Sequence, residues 1–104
     1  MSEESISQEI AKEYLRDIEP MWKAFWFHMH RSARNLEEFA EGMTRINDDI
    51  FREHASGQKN DFVRWVREVI GDSVLARELS SVDSKEEAAG IIRARVDELK
   101  RIAQ

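Results

Sequence analysis

The sequence predicts an all-α protein, a compact bundle of five or six helices that forms a single domain over residues 1–104. Apolar residues recur in several stretches with the three- and four-residue spacing of one helical face. Alternating runs of β-branched residues are absent, as are the Asn-Gly and Asp-Gly turns of hairpins. The chain has only one Pro and four Gly to interrupt its helices, and its 104 residues suffice for one modest core.

The clearest helical signal begins at Asn60, whose side chain is suited to cap a helix. Asp61 follows, where a negative charge favours the positive end of the helix dipole. The large apolar side chains of one face are Phe62, Trp65, Val66, Val69 and Ile70. Gly71 is suited to end this helix in the left-handed conformation, and Asp72 or Ser73 can cap the next. The stretch predicts a helix, a sharp stop and a second helix.

Similar signals mark the other helices. The first is predicted from about Ser5 to Ile18, and a loop is predicted from Ala55 to Lys59 around Gly57. The remaining predicted caps are Asn35, Asn47 or Asp48, and Ser84. The caps at 35 and 84 are each followed three residues later by Glu, which is the spacing of a capping box.

The run from Met21 to His30 is the most hydrophobic part of the chain. Its large apolar residues are Met21, Trp22, Phe25, Trp26, Phe27 and Met29. Their spacing favours a helix that is buried on nearly every side. A short strand with Phe25, Phe27 and Met29 on one side also fits, but no partner strand is evident. The predicted core is built around Trp22, Phe25, Trp26, Phe39, Phe62 and Trp65.

Composition limits the function. The chain has 16 basic and 21 acidic residues and a net charge of −5, which argues against binding to nucleic acid or anionic lipid. It has no Cys, which excludes disulfides and thiolate metal sites. The N-terminus lacks the basic and apolar regions of a signal peptide, and no apolar run approaches the length of about 20 residues that crosses a bilayer. We therefore expect a soluble cytoplasmic protein that does not act at a membrane.

The three histidines, His28, His30 and His54, are the only metal-like set in the sequence. On a helix His28 and His30 would diverge by about 200°, whereas on a strand they would share a face. A histidine that is buried and hydrogen-bonded is the favoured alternative. Serine nucleophile motifs, phosphate loops and dinucleotide-binding fingerprints are absent, so no catalytic residue and no cofactor is predicted.

Arginines concentrate in the middle of the chain. They are Arg31, Arg34, Arg45, Arg52, Arg64, Arg67 and Arg77. Together they could form a basic patch that binds phosphate or an acidic partner. Pairing with nearby Asp and Glu on the surface is the favoured interpretation.

Five short motifs lie between about residues 24 and 80. They are Phe25-Trp26-Phe27, Asn35-Leu36-Glu37-Glu38-Phe39, His54, Asp61-Phe62 with Trp65, and Gly71-Asp72 with Leu75-Ala76. This pattern resembles a family of small prokaryotic helical domains of unknown function. The chain departs from it after Phe27, where related chains often carry a longer Gly-containing loop. The resemblance implies an all-helical domain without assigning an activity, and it singles out His54, Asp61, Phe62, Trp65, Gly71 and Asp72.

These observations favour a non-enzymatic module that binds another protein or has a regulatory role. The alternative is a small metal- or ligand-binding domain that uses His54 with His28 or His30. The apolar run from Met21 to His30 adds a further expectation, because soluble monomers rarely expose large apolar patches. Either other helices cover this run, or part of it forms a homodimer.

Overall fold

The computed structural model describes residues 6–56 and 59–104. Its elements are α1 (Gln8–Tyr14), a 3₁₀ turn (Met21–Lys23), β1 (Phe25–His28), β2 (Arg31–Ala33), α2 (Leu36–Arg45), α3 (Asp48–His54), α4 (Asp61–Trp65), α5 (Ser73–Leu79) and α6 (Lys85–Ala103). The described residues contain six α-helices, in agreement with the predicted number. The all-α prediction is confirmed only in part, because β1 and β2 form an antiparallel hairpin beside the helices. The fold is therefore mostly helical with one small sheet.

A capping side chain precedes every α-helix of the described residues. The caps are Ser7, Asn35, Asn47, Asn60, Asp72 and Ser84. In each case the side-chain oxygen accepts a hydrogen bond from the backbone N–H three residues later, which satisfies a donor that the helix leaves unpaired. The predicted first residue, Ser5, and the loop residue Gly57 lie outside the described residues.

The helix that begins at Asp61 ends in an unusual way. Its last turn, Val66–Ile70, is π-helical, and the N–H of Gly71 donates to the carbonyl of Val66 at 2.8 Å. Gly71 has a φ of 95°, which confirms the predicted left-handed stop. A side chain with a Cβ would be strained at this position.

Arg16 completes this helix end from another part of the chain. Its guanidinium donates hydrogen bonds to the carbonyls of Val69 at 2.8 Å and Ile70 at 3.3 Å. These carbonyls lie in the last turn of the helix, where no intrahelical donor is available. The contact also ties the segment after α1 to the end of the π turn.

The helix favoured for Met21–His30 is wrong. Phe25 pairs with Ala33 and Trp26 pairs with Ser32 across the hairpin. The side chain of Phe25 is buried and that of Trp26 is exposed, which is the alternation expected of a strand with one face on a core. A strand at this position requires a partner strand, and that partner is the small, polar segment β2.

One hydrophobic core joins the hairpin to the helices. The long helix α6 packs against α1, α2 and α5, and α2 also packs against β2. Phe25, Phe39, Phe62 and Trp65 lie in the core as predicted, and the ring centroids of Phe39 and Trp65 are 4.9 Å apart. Trp22 and Trp26 do not, because one lies in the 3₁₀ turn and the other on the outer face of β1.

Gly42 is the residue of α2 against which the hairpin packs most closely. The ring of Phe27 lies directly over this glycine, and a Cβ built there would come within 2.8 Å of Phe27 Cζ and closer still to Cε2. Only a residue without a side chain lets the strand approach the helix so closely.

No α-helix in the described ranges combines the length and the apolar character that a bilayer span requires.

Candidate functional site

His54, the last residue of α3, connects the hairpin to α4. Its Nδ1 lies 2.8 Å from Oδ2 of Asp61, and its Nε2 lies 2.8 Å from the carbonyl oxygen of Phe27. The imidazole ring also contacts the aromatic core, with centroid distances of 5.2 Å to Phe25 and 5.4 Å to Phe62. We call this arrangement the His54 clasp. It brings together His54, Asp61 and Phe62 among the residues that the sequence singled out.

The partners of the His54 clasp determine which protons it needs. The Phe27 carbonyl only accepts hydrogen bonds, so Nε2 must carry a proton for that bond to form. Burial raises the pKa of the Asp61 carboxyl, but hydrogen bonds from His54 and Arg64 and the charges of His54 and Lys59 outweigh burial, so this pKa lies below its ordinary value. An ionised carboxylate also only accepts. The contact between Nδ1 and the Asp61 carboxylate is an ion pair only when the ring carries a proton on both nitrogens.

The His54 clasp resembles the His–Asp pair of a hydrolytic triad, but among the described residues it lacks a free Nε2 and a hydroxyl or thiol beside it. In a triad the histidine Nε2 accepts a proton from the nucleophile. Here Nε2 is engaged with the Phe27 carbonyl, so it has no lone pair for a substrate. The adjoining groove is lined by Phe25, Trp26, His54, Asp61, Arg64, Trp65, Glu68 and Val69. These residues include no hydroxyl or thiol side chain, and the contacts of His54 fasten the hairpin to α4.

The other two histidines lie at the hairpin turn. The backbone N–H of His30 donates to Nδ1 of His28 at 3.2 Å, and the two ring centroids are 6.4 Å apart. Both nitrogens of His54 already have protein partners. Within residues 6–56 and 59–104, no three His, Asp or Glu side chains are placed to hold a metal ion together.

Two open grooves lie side by side on the surface next to the His54 clasp. The groove described above, which we call the Trp26 groove, has a volume of about 310 Å³. The second, the Trp22 groove, has about 760 Å³ and is lined by Arg16, Asp17, Ile18, Glu19, Trp22, Lys23, Ala24, Trp65, Glu68 and Val69. Trp65, Glu68 and Val69 line both grooves and form the wall between them.

Large apolar side chains are exposed in the segment that contributes Trp22 and Trp26 to these grooves. Their exposed fractions are 48% for Met21, 75% for Trp22, 41% for Trp26 and 78% for Met29. We call this segment, Met21–Met29, the exposed apolar segment. Sequence reasoning placed both tryptophans in the core and so missed this surface. The signal that could have found it is the period-two pattern of Phe25, Trp26 and Phe27, which turns one tryptophan outward on a strand.

Contacts hold the exposed apolar segment in place. Trp65 is buried, and its Nε1–H donates to the carbonyl of Lys23 at 2.8 Å. Trp26 Nε1–H donates to the carbonyl of Met21 at 3.0 Å. With the bond from His54 to Phe27, these contacts attach the segment to α3 and α4 and make it a pre-organised surface.

Asp72, the last of the residues that the sequence singled out, belongs to a different contact. It caps α5 and is buried against Arg95 of α6. Arg95 is a residue that sequence reasoning missed, because a lone arginine on an apolar helix face gives no signal of burial. The pair lines neither groove and has a structural role.

The arginines of the middle of the chain mostly pair with acids nearby in sequence. The pairs are Arg34–Glu38, Arg45–Glu41, Arg52–Asp49 and Arg64–Asp61. Each arginine side chain remains about half exposed or more, so these pairs contribute little to stability. They favour the interpretation of surface ion pairs over a basic patch.

The fold and these grooves define a small, mostly helical domain that carries a β-hairpin with an exposed aromatic surface. A family model described as "Family of unknown function (DUF5752)" matches residues 23–102, which is more than half of the chain. The chain belongs to this family. The match begins at the last residue of the 3₁₀ turn and extends over nearly all of α6, beyond the segment of about 24–80 that carries the resemblance. Searches of curated proteins and of solved structures gave no significant match.

Proposed function

We propose that this chain is a non-enzymatic protein-interaction module whose binding surface is the exposed apolar segment and the two adjoining grooves. The observation that carries the proposal is the exposure of Met21, Trp22, Trp26 and Met29 in one short segment. Elsewhere in the described residues, Ile10 is the only large hydrophobic side chain that is exposed. Exposed apolar side chains that cluster in this way mark interaction surfaces.

The residue types support the same conclusion. Tryptophan and methionine are enriched in the cores of protein–protein interfaces, and tryptophan is among the residues that contribute most to binding energy. The hydrogen bonds from Trp65 to Lys23 and from His54 to Phe27 hold the segment in one arrangement. A surface that is ordered before binding loses less conformational entropy on association.

A different protein fits this surface better than a second copy. In a two-fold symmetric dimer each surface residue meets the same patch of its partner. Glu68 lies on the wall between the grooves, so a homodimer centred there would bring two like charges together. The other candidate occupant of this surface is a second copy of the chain, bound as a homodimer through Met21–His30.

Light scattering separates these two occupants. We expect a mass near the 12.2 kDa of one chain for the purified protein. A mass twice that value, which falls to one chain in Trp22→Ser, would instead assign the surface to a homodimer.

Site-specific photo-crosslinking tests the module itself. A photoreactive side chain replaces Trp22 or Met29 in cells of the source organism, and a control carries it at Glu86, whose side chain is 74% exposed on α6. We expect one protein to be crosslinked from both position 22 and position 29 and not from the control position. The proposal is wrong if positions 22 and 29 give no product that the control lacks.

No observation favours the alternative of a metal or ligand site built from His54 with His28 or His30. Such a site requires His54 to release Asp61 or Phe27, since each bond uses one ring nitrogen. The sequence-based prediction that the module is not an enzyme forms part of this proposal, as does a cytoplasmic location.

A further inference from the structure

We infer that the partner of this surface presents a basic segment, and that one of its arginine or lysine side chains binds at Glu68 between the indole rings of Trp22 and Trp26. The inference rests on the proposed function and specifies the chemistry of the partner. It follows from the charges of the grooves, from the position of Glu68 and from the contact that Trp22 already makes with a cation.

Glu68 is the carboxylate best placed to receive a cation. Its exposed side chain lines both the Trp22 groove and the Trp26 groove. Among the described residues it makes no ion pair, although arginines lie nearby. Arg16 donates to the carbonyls of Val69 and Ile70, and Arg64 donates to Asp61 at 3.2 Å. The nearby guanidinium groups are therefore engaged elsewhere, and Glu68 can accept a charge-assisted bond from a partner.

Trp22 shows that its indole ring accepts a cation. The ammonium group of Lys23 lies 5.3 Å from the ring centroid of Trp22. Tryptophan is the aromatic side chain that binds cations most strongly through its π face. Because this lysine is exposed and flexible, a cation from a partner can replace it over the ring or occupy the opposite face.

The charge around the grooves favours a basic partner. Three acids, Asp17, Glu19 and Glu68, line the Trp22 groove against two bases, Arg16 and Lys23, and the whole chain has a net charge of −5. Complementary charge accelerates encounter and selects the partner. The exposed side chains of Met21 and Trp22 then require apolar residues beside the partner's cation. The occupant is thus a segment in which basic and apolar residues alternate.

Peptide probes test this inference with the intact protein. The basic probe is acetyl-Leu-Arg-Ile-Arg-amide, and the neutral probe has Gln in place of each Arg. The indole N–H signals of Trp22, Trp26 and Trp65 report binding by NMR. We expect the basic probe to shift the Trp22 and Trp26 signals and to bind at least about fivefold more tightly than the neutral probe, the ratio that corresponds to about 1 kcal/mol.

Two matched variants locate the contact. Glu68→Gln and Glu53→Gln change the net charge equally, but Glu53 lines neither groove. We expect Glu68→Gln to weaken the basic probe about fivefold, as for the loss of one surface charge pair, and Glu53→Gln to leave it unchanged. Both positions are exposed, so both variants should melt at the temperature of the parent.

Three results would overturn the inference: no binding of the basic probe at millimolar concentration, equal binding of the two probes, or equal effects of the two substitutions. The crosslinking experiment keeps these failures distinct from failure of the proposed function. A partner that is crosslinked from positions 22 and 29 equally well in Glu68→Gln leaves the interaction module standing and removes only the basic contact.

Discussion

Arg95 of α6 donates two hydrogen bonds to the carboxylate of Asp72, from Nε to Oδ2 at 2.7 Å and from Nη2 to Oδ1 at 2.8 Å. The exposed fraction is 0% for Asp72 and 4% for Arg95. Asp72 also accepts the N–H of Leu75 as the cap of α5. The pair therefore fixes the start of α5 against the middle of α6.

The first prediction concerns this pair. Arg95→Ala should lower the free energy of unfolding by about 3–5 kcal/mol, because it leaves the Asp72 carboxylate buried without its cation. The control is Glu98→Gln, which removes the exposed carboxylate that Arg95 contacts at 3.1 Å and should cost less than about 1 kcal/mol. Urea denaturation measures both. Equal effects of the two substitutions would show that the buried pair does not stabilise the fold.

The second prediction concerns Trp65. This residue is 7% exposed and lies in the aromatic core, so Trp65→Ala should cost about 3–5 kcal/mol through lost burial and the cavity that remains. Trp22→Ala is the matched control, because this ring is exposed and its loss should change stability by no more than about 0.5 kcal/mol. A denaturation midpoint for Trp65→Ala equal to that of the parent would contradict the structure.

The third prediction uses two glycines in helices. Gly42→Ala introduces a Cβ into the ring of Phe27, so it should displace the hairpin and destabilise the protein by about 1–3 kcal/mol. Gly90→Ala makes the same change in α6, where the new Cβ meets no atom within 4 Å apart from its chain neighbours and the backbone of its own helix. It should instead stabilise the protein by about 0.5–1 kcal/mol through helix propensity. Thermal melting of both variants should give shifts of opposite sign, and shifts of equal sign would show that Phe27 does not constrain Gly42.

Local signals predicted the caps that begin the helices and the stop at Gly71, whereas the first helix ends at Tyr14 and not at the predicted Ile18. Asn60, Asp72 and Ser84 cap helices as expected, because a cap depends on residues only three apart in the chain. Gly71 adopts the left-handed conformation for the same reason, since the stop is set within one turn. Features of this kind can be predicted from short stretches of sequence.

Long-range partners could not be predicted in this way. The hairpin requires Arg31-Ser32-Ala33 as its second strand, and this segment has little intrinsic strand preference. The exposure of Trp26 follows from that pairing, because β1 buries Phe25 and Phe27 on its other face. Because the partner strand is not evident in the sequence, the helical spacing wrongly places both tryptophans in the core.

Contacts between side chains that are distant in the sequence could not be predicted either. His54 receives both of its partners from other elements, from Phe27 on β1 and from Asp61 on α4. A single sequence without known pairings does not show which carbonyl or carboxylate a histidine will contact. The motif singled out the residues of the His54 clasp, and the structure showed their geometry.

The fourth prediction concerns metal. Because both ring nitrogens of His54 have protein partners, added zinc should leave the melting temperature of the tag-free protein unchanged, as should a chelator. A metal that bound only the folded state would raise its stability. Elemental analysis of the purified protein should show less than stoichiometric zinc, nickel or iron. Stoichiometric metal that is lost in His54→Ala would overturn this prediction and support the metal-binding alternative.

The last prediction concerns the acid stability of the His54 clasp. Hydrogen bonds from His54 and Arg64 lower the pKa of Asp61 in spite of its burial, so the folded state binds this proton less readily than the unfolded state does. The carboxylate therefore stabilises the fold at pH values above its unfolded pKa of about 3.9, and this stabilisation is lost as the pH falls through the lower folded pKa. Asp61→Asn should be less stable than the parent at pH 6, and the difference should shrink below pH of about 4.

The exposed Asp97 gives the control, since the stability of Asp97→Asn should follow that of the parent across the pH range. Urea denaturation across the pH range measures all three proteins, and a constant gap between the parent and Asp61→Asn would show that the carboxylate gains nothing from His54.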